Sequence, residues 1–254
     1  MHMNSAGTDA PHPDAPRANS AGPDAPRPDA SRAQSAGADF ERLRRLHAQA
    51  VRDSVTLVRR VTPDALSRPT PCSAWSLSDL LAHMTAQHRG FAAAALGQGQ
   101  DLAHWAVHPV GEDVVAHYGD AAEKVIAAFA TVDTPDRAFT LPEFTAAKTF
   151  PAARAVGFHL IDYVVHSWDV ARTLDLAYEP SPDLLQAALP IARAVPDGDS
   201  RLAPGSAFRP GLATDDHMGT LEKILAALGR SPDWRSPLSS GADDAGTAPH
   251  DPTC

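Results

Sequence analysis

Along the central part of the chain, apolar residues recur mostly at intervals of three and four, the period of helices that bury one face. Phe40, Leu43, Leu46, Val51, Val55 and Val58 predict a first helix ending before Pro63. Ser76-Leu-Ser-Asp79 has the form of a capping box and opens a second helix through Leu80, Leu81, Met84 and Phe91, ending around Gly97-Gln-Gly99. A third runs from about Glu112 through Val115, Ala122, Ile126 and Phe129 and stops near Thr134-Pro135. A short irregular piece containing Pro142 follows. The fourth and most hydrophobic helix spans about Ala152 to Leu174, and two smaller ones lie at about Pro182–Ala194 and Asp216–Leu228, the last closed by Gly229. The alternation that a sheet demands is absent. The expected fold class is therefore all-α, an antiparallel four-helix bundle with a C-terminal helical appendage.

The two ends carry a different pattern. Asn4–Ala18 returns almost unchanged as Asn19–Ala33 and begins again at Gln34-Ser-Ala-Gly37, a period of fifteen with no large apolar residue beyond Met1 and Met3. A stacking repeat needs an apolar face, so residues 1–38 are expected to be a disordered tail. The stretch 235–254 has the same low-complexity character, which leaves one domain over residues 39–234.

Charge narrows the partners. The 31 acidic and 22 basic side chains give a net charge of −9 in 254 residues, which argues against a phosphate-backbone binder. No stretch approaches a membrane span and no basic patch precedes an apolar segment at the start, so the expected location is cytoplasmic, with neither nucleic acid nor membrane as partner. Two cysteines, Cys72 and Cys254, are too few for a disulfide framework, and a metal would rely on His, Asp or Glu.

Spacing selects among the 12 histidines. In the fourth helix, His159, Asp162, His166 and Asp169 are separated by three, four and three residues, so they form one polar stripe flanked by Phe158, Ile161, Val165 and Trp168. Polar groups carried toward a core must hydrogen-bond one another, meet a partner helix or bind a metal. Asp162 and His166 stand one turn apart, the spacing that lets two side chains share a divalent ion. His83, at the edge of the second helix's apolar stripe, is the best third ligand. Such an N, N, O set leaves coordination positions open, as catalytic sites do. A hydrogen-bonded Asp–His couple inside a bundle is the alternative.

Three blocks then become familiar in order: Thr70-Pro-Cys-Ser-Ala-Trp-Ser-Leu-Ser-Asp-Leu-Leu-Ala-His83, Asp162-Tyr-Val-Val-His-Ser-Trp-Asp-Val-Ala-Arg172 and Leu225-Ala-Ala-Leu-Gly-Arg-Ser-Pro-Asp-Trp234. Together they resemble the metal-binding proteins related to the N-terminal domain of mycothiol-dependent maleylpyruvate isomerase, within the DinB-like superfamily. The resemblance implies a four-helix bundle that holds a divalent ion, usually zinc, through His83, Asp162 and His166. It also implies chemistry on a low-molecular-weight thiol such as mycothiol. The isomerase carries Glu where this chain has Asp162, and a further C-terminal domain for which this chain is expected to lack room. The expected function is a metal-dependent thiol S-transferase or thiol-dependent isomerase acting on a small electrophile, as monomer or homodimer. A metal-dependent hydrolase and a non-catalytic metal-binding or stress protein are the alternatives, because metal-bound water attacks carbonyls from the same open site.

The remaining candidates are secondary. His159 is expected to support the ligands or touch substrate, and is the one catalytic candidate beside the metal set. Asp169 either orients His166 or pairs with Arg172 on the surface. His88, five residues beyond His83, turns away and reads as solvated or structural. Trp75 and Trp168 read as core residues, with a substrate wall as the other role. Trp234 has the option of folding back over the bundle mouth, and Arg89 and Arg154 read as surface arginines.

Overall fold

The helix boundaries follow local chemistry. In the computed structural model, which describes residues 30–72, 74–145, 147–203 and 208–237, the chain forms α1 (Ala30–Val58), α2 (Leu77–Ala95), α3 (Val114–Ala130), α4 (Ala152–Thr173), α5 (Pro182–Ala194) and α6 (Thr220–Ala227). The fold is mostly helical, as expected. The expected capping box opens α2: Asp79 N–H donates to Ser76 Oγ at 3.3 Å, and Ser76 N–H donates to Asp79 Oδ2 at 3.0 Å. Ser181 caps α5, with Pro182 at its first position, where no amide hydrogen is needed.

Helix α1 lies along α4 and α3, α2 lies along α3 and α4, and α5 joins α6 against the outer side of α4 and α1. Leu80, Leu81, Met84, Tyr118, Leu160 and Val164 are fully buried between them. Each such aliphatic side chain contributes about 1.5–3 kcal/mol by leaving water. Gly90 lets a short connection close over α2, because a Cβ there would stand 2.2 Å from the Trp105 ring. Trp105 in turn donates its indole N–H to the Gly99 carbonyl at 2.8 Å.

The structure corrects the sequence reading in four places. The piece containing Pro142 is a small hairpin, β1 (Ala138–Thr140) antiparallel to β2 (Thr149–Pro151), with Phe139 opposite Phe150. Strands of three residues are too short for alternation to register. Helix α1 begins at Ala30, so residues 30–38, assigned to the tail, extend the helix, and residues 33–38 of that extension are exposed. The rest of the expected N-terminal tail lies outside the described residues. Helix α6 starts at Thr220 rather than near Asp216, since the Asp215 carboxylate turns the chain by accepting the amides of His217 and Met218. Ser236 is buried, which moves the C-terminal boundary past 234, and the tail from 238 onward lies outside the described residues.

Candidate metal centre

The site is assembled from two helices and the loop ahead of one of them. Thr70 Oγ1 lies 3.0 Å from the carbonyls of Cys72 and Trp75 and accepts the Cys72 amide at 3.1 Å, which knits the Pro-rich loop into one shape. That shape sets the Trp75 ring 4.8 Å from the ring of His83, on the second turn of α2. From the other side α4 presents Asp162 and His166 one turn apart. Ligand atoms of His83, Asp162 and His166 all lie within 4.8 Å of one another. The structure thus brings the three predicted residues together.

Their charges are set by burial and by each other. Burial holds His83 down to about 4, against the opposing pull of Asp162, so its ring is neutral at pH 7. Burial alone would also lower His166, but Asp162 and Asp169 outweigh it and raise it to about 9. Its Nε2–H donates to Asp162 Oδ1 at 3.3 Å. Asp162 is held below the usual carboxylate range because His166 and His83 outweigh its desolvation.

Behind His166 stands a second layer. His166 Nδ1–H donates to Asp169 Oδ2 at 2.9 Å, and Asp169 is fully buried. Arg230, itself buried, reaches the same carboxylate with Nε at 3.3 Å from Oδ1 and Nη2 at 3.3 Å from Oδ2. Asp169 therefore orients the imidazole rather than forming a surface pair with Arg172, which donates instead to the Pro232 carbonyl at 3.2 Å. Sequence reasoning missed Arg230. It lies 61 residues beyond Asp169, and its signals in the sequence are its place just after Gly229 and inside the third motif block, Leu225–Trp234.

The donor set fits a divalent ion. Two imidazole nitrogens and a carboxylate oxygen are borderline ligands of the kind zinc accepts, and the 3.3 Å between His166 Nε2 and Asp162 Oδ1 matches the roughly 3.3 Å edge that zinc bonds of about 2.0–2.1 Å imply. Cys72, His166 and Asp169 also bring donor atoms within 4.8 Å. There, however, the Arg230 guanidinium already faces both Asp169 oxygens and lies 3.0 Å from Cys72 Sγ, so a cation would meet a like charge.

A cleft of about 490 Å³ opens beside His83, with Trp75, Ala82, Val107 and Pro109 among its walls. Trp75 is thus a wall as well as a packing residue. One turn after His83, Gln87 donates to Glu143 Oε2 at 2.7 Å, and burial together with the charge of Asp162 pushes the Glu143 carboxyl upward.

His159 is placed elsewhere. It is fully buried, its Nδ1 lies 2.8 Å from His47 Nε2, and its ring stacks on Tyr163 at 4.3 Å. Its recorded partners include none of the three candidate ligands, so the expected supporting role passes to Asp169. His88, stacked on Tyr163 at 4.1 Å, belongs to the same buried cluster and is structural. Trp168 is a core residue, Trp234 packs half-buried against the core, and Arg89 and Arg154 are exposed.

Comparison with known proteins agrees with the motif resemblance. Residues 47–171 match the family model of the mycothiol maleylpyruvate isomerase N-terminal domain. Two uncharacterized proteins of Mycobacterium tuberculosis, from strains CDC 1551 / Oshkosh and ATCC 25618 / H37Rv, are each 26% identical over 180 residues, covering 69% of this chain and 90% of theirs. Among solved structures, mycothiol-dependent maleylpyruvate isomerase aligns with a TM-score of 0.52 at 14% identity, and a histidine-to-alanine mutant of it with 0.55 at 12%. Both alignments cover 85% of this chain and 97% of the isomerase. At that identity the likeness is one of fold. It nonetheless spans nearly the whole isomerase, so the expectation that this chain is too short to match its C-terminal part does not hold.

Proposed function

We propose, from a chain that belongs through residues 47–171 to the mycothiol maleylpyruvate isomerase N-terminal domain family, that this protein is a divalent-metal-dependent enzyme. It uses a low-molecular-weight thiol of the mycothiol kind as nucleophile, as a thiol S-transferase or a thiol-dependent isomerase. The four long helices form an antiparallel bundle of the DinB-like kind around the site. His83, Asp162 and His166 would hold the ion, which this donor set selects as zinc. When bound, such an ion favours the thiolate over the thiol, and the thiolate is the nucleophile.

The observation that carries this reading is the convergence of two imidazoles and one carboxylate, with a buried Asp169–Arg230 pair behind one imidazole. Asp169 fixes His166 in the tautomer that turns Nε2 toward Asp162, and neutral His83 offers a lone pair without losing a proton. Trp75 shields one side from water, and the cleft next to His83 gives an electrophile a place to lie.

The test is consumption of an electrophile by zinc-loaded protein with and without a low-molecular-weight thiol, alongside His166→Ala. Turnover that needs both thiol and metal supports the proposal. Turnover without thiol makes the protein a hydrolase, and tight metal binding with no turnover of either kind makes it a binding protein; both outcomes overturn the thiol reading.

A further inference from the structure

We infer that the cleft beside His83 is built for an uncharged apolar or aromatic electrophile and selects against carboxylate-bearing ones. The inference rests on the thiol-enzyme reading for the word electrophile, but the cleft's preference stands on its own walls. Trp75, Ala82, Val107 and Pro109 give it aromatic and aliphatic surface, and Val107 is 56% exposed on the open side. Ser78 offers a neutral hydroxyl. Among the described residues, the ionisable members of the lining are His83 and Asp79, and no lysine or arginine belongs to it.

Two ordinary ways of receiving an anion are closed here. The cleft lies over the first turns of α2, and a helix N-terminus attracts anions through its unpaired amides. Those amides are already engaged: Leu77 N–H donates to the Arg68 carbonyl at 2.9 Å, Ser78 N–H to the Leu66 carbonyl at 2.9 Å, and Asp79 N–H to Ser76 Oγ at 3.3 Å. The Asp79 carboxylate, fixed by Ser76, adds a negative charge at the rim. The buried cation behind the site, Arg230, faces the Asp169 carboxylate rather than the cleft. Away from the ion that His83 would hold, a carboxylate in the cleft would therefore lose water without gaining a partner, whereas a neutral ring would gain contact with Trp75.

Equilibrium dialysis of methyl cinnamate against cinnamate tests this on the full chain without added metal, with zinc uptake measured separately. The ester is expected to bind about tenfold or more tightly than the acid, the scale of one unfavourable charge contact near a surface. Ala74→Trp, at an exposed rim position, should weaken the ester about tenfold. Val107→Lys should bring the acid to within a few-fold of the ester by supplying the missing cation. Equal affinities in the unaltered protein, no ester binding at millimolar concentration, or ester binding indifferent to Ala74→Trp overturns the inference. Ester preference in a protein that takes up no zinc leaves the cleft intact and sinks the metal-enzyme reading, while zinc-dependent thiol turnover without ester preference does the reverse.

Discussion

Asp169 receives the Nδ1–H of His166 at 2.9 Å from a position sealed off from solvent, three residues further along the same helix. A carboxylate in that place fixes which imidazole nitrogen keeps the proton and which faces Asp162 and His83. Arg230 is what makes the buried charge tolerable, because an unpaired ion there would carry a desolvation cost of several kcal/mol. Asp169→Asn should therefore lower zinc affinity about 10–100-fold in a competition titration with a chromophoric chelator, while Arg89→Ala leaves it unchanged.

Arg230→Ala leaves the Asp169 charge buried with one partner removed. The expected loss is about 3–5 kcal/mol of stability, read by urea denaturation, with Arg230→Lys losing less because a cation is retained. Equal stability of the two variants would show that the guanidinium is not holding the carboxylate.

Metal uptake should depend on pH in a defined direction. His166 is raised to about 9, so at neutral pH its Nε2 carries the proton donated to Asp162, and an ion entering between them must displace it. Zinc affinity should rise with pH up to about 9, by about tenfold per unit below that value, and an affinity flat between pH 6 and 8 would contradict the arrangement.

The buried cluster of His47, His88 and His159 makes stability, too, rise with pH. Burial lowers His47 to about 3 and holds His88 and His159 well below their usual 6.5. The unfolded chain therefore binds more protons than the folded one below pH 6.5, and stability is lost as pH falls from 6.5 toward 3. Each histidine contributes a slope of up to about 1.4 kcal/mol per pH unit, and His47→Phe should flatten the acid limb of a thermal-melt series.

Gly90→Ala should cost about 2 kcal/mol and lower the melting temperature by roughly 4–8 °C, because the added methyl meets the face of the Trp105 indole at 2.2 Å and a rigid ring cannot yield cheaply. Trp105→Ala in the same background should relieve that clash in a double-mutant cycle.

Much of the molecule was legible along the chain because its information is local. Helical periodicity and the Ser76 cap set α2, and the spacing of Asp162 and His166 set one side of the site. His83 came from its place on the apolar edge of α2 and from the motif blocks. What escaped depends on contacts across many residues. The spacing of Asp169 fits an orienter of His166 and a surface partner of Arg172 equally, and Arg230, arriving after α6, shows that it faces inward. His159 shared the stripe of Asp162, but the stripe is wide enough to straddle two environments, and His47 from α1 claimed it for the core. The β1–β2 hairpin was too short to leave a periodic signal.

The most direct test of the central claim is elemental analysis of the purified protein reloaded with zinc, beside His166→Ala prepared identically. The account predicts about one equivalent of zinc in the unaltered protein and a large loss in the variant, both retaining the same helical content by circular dichroism. No zinc in either, or equal zinc in both, would contradict the account and leave His83, Asp162 and His166 as a hydrogen-bonded polar cluster within a helical core.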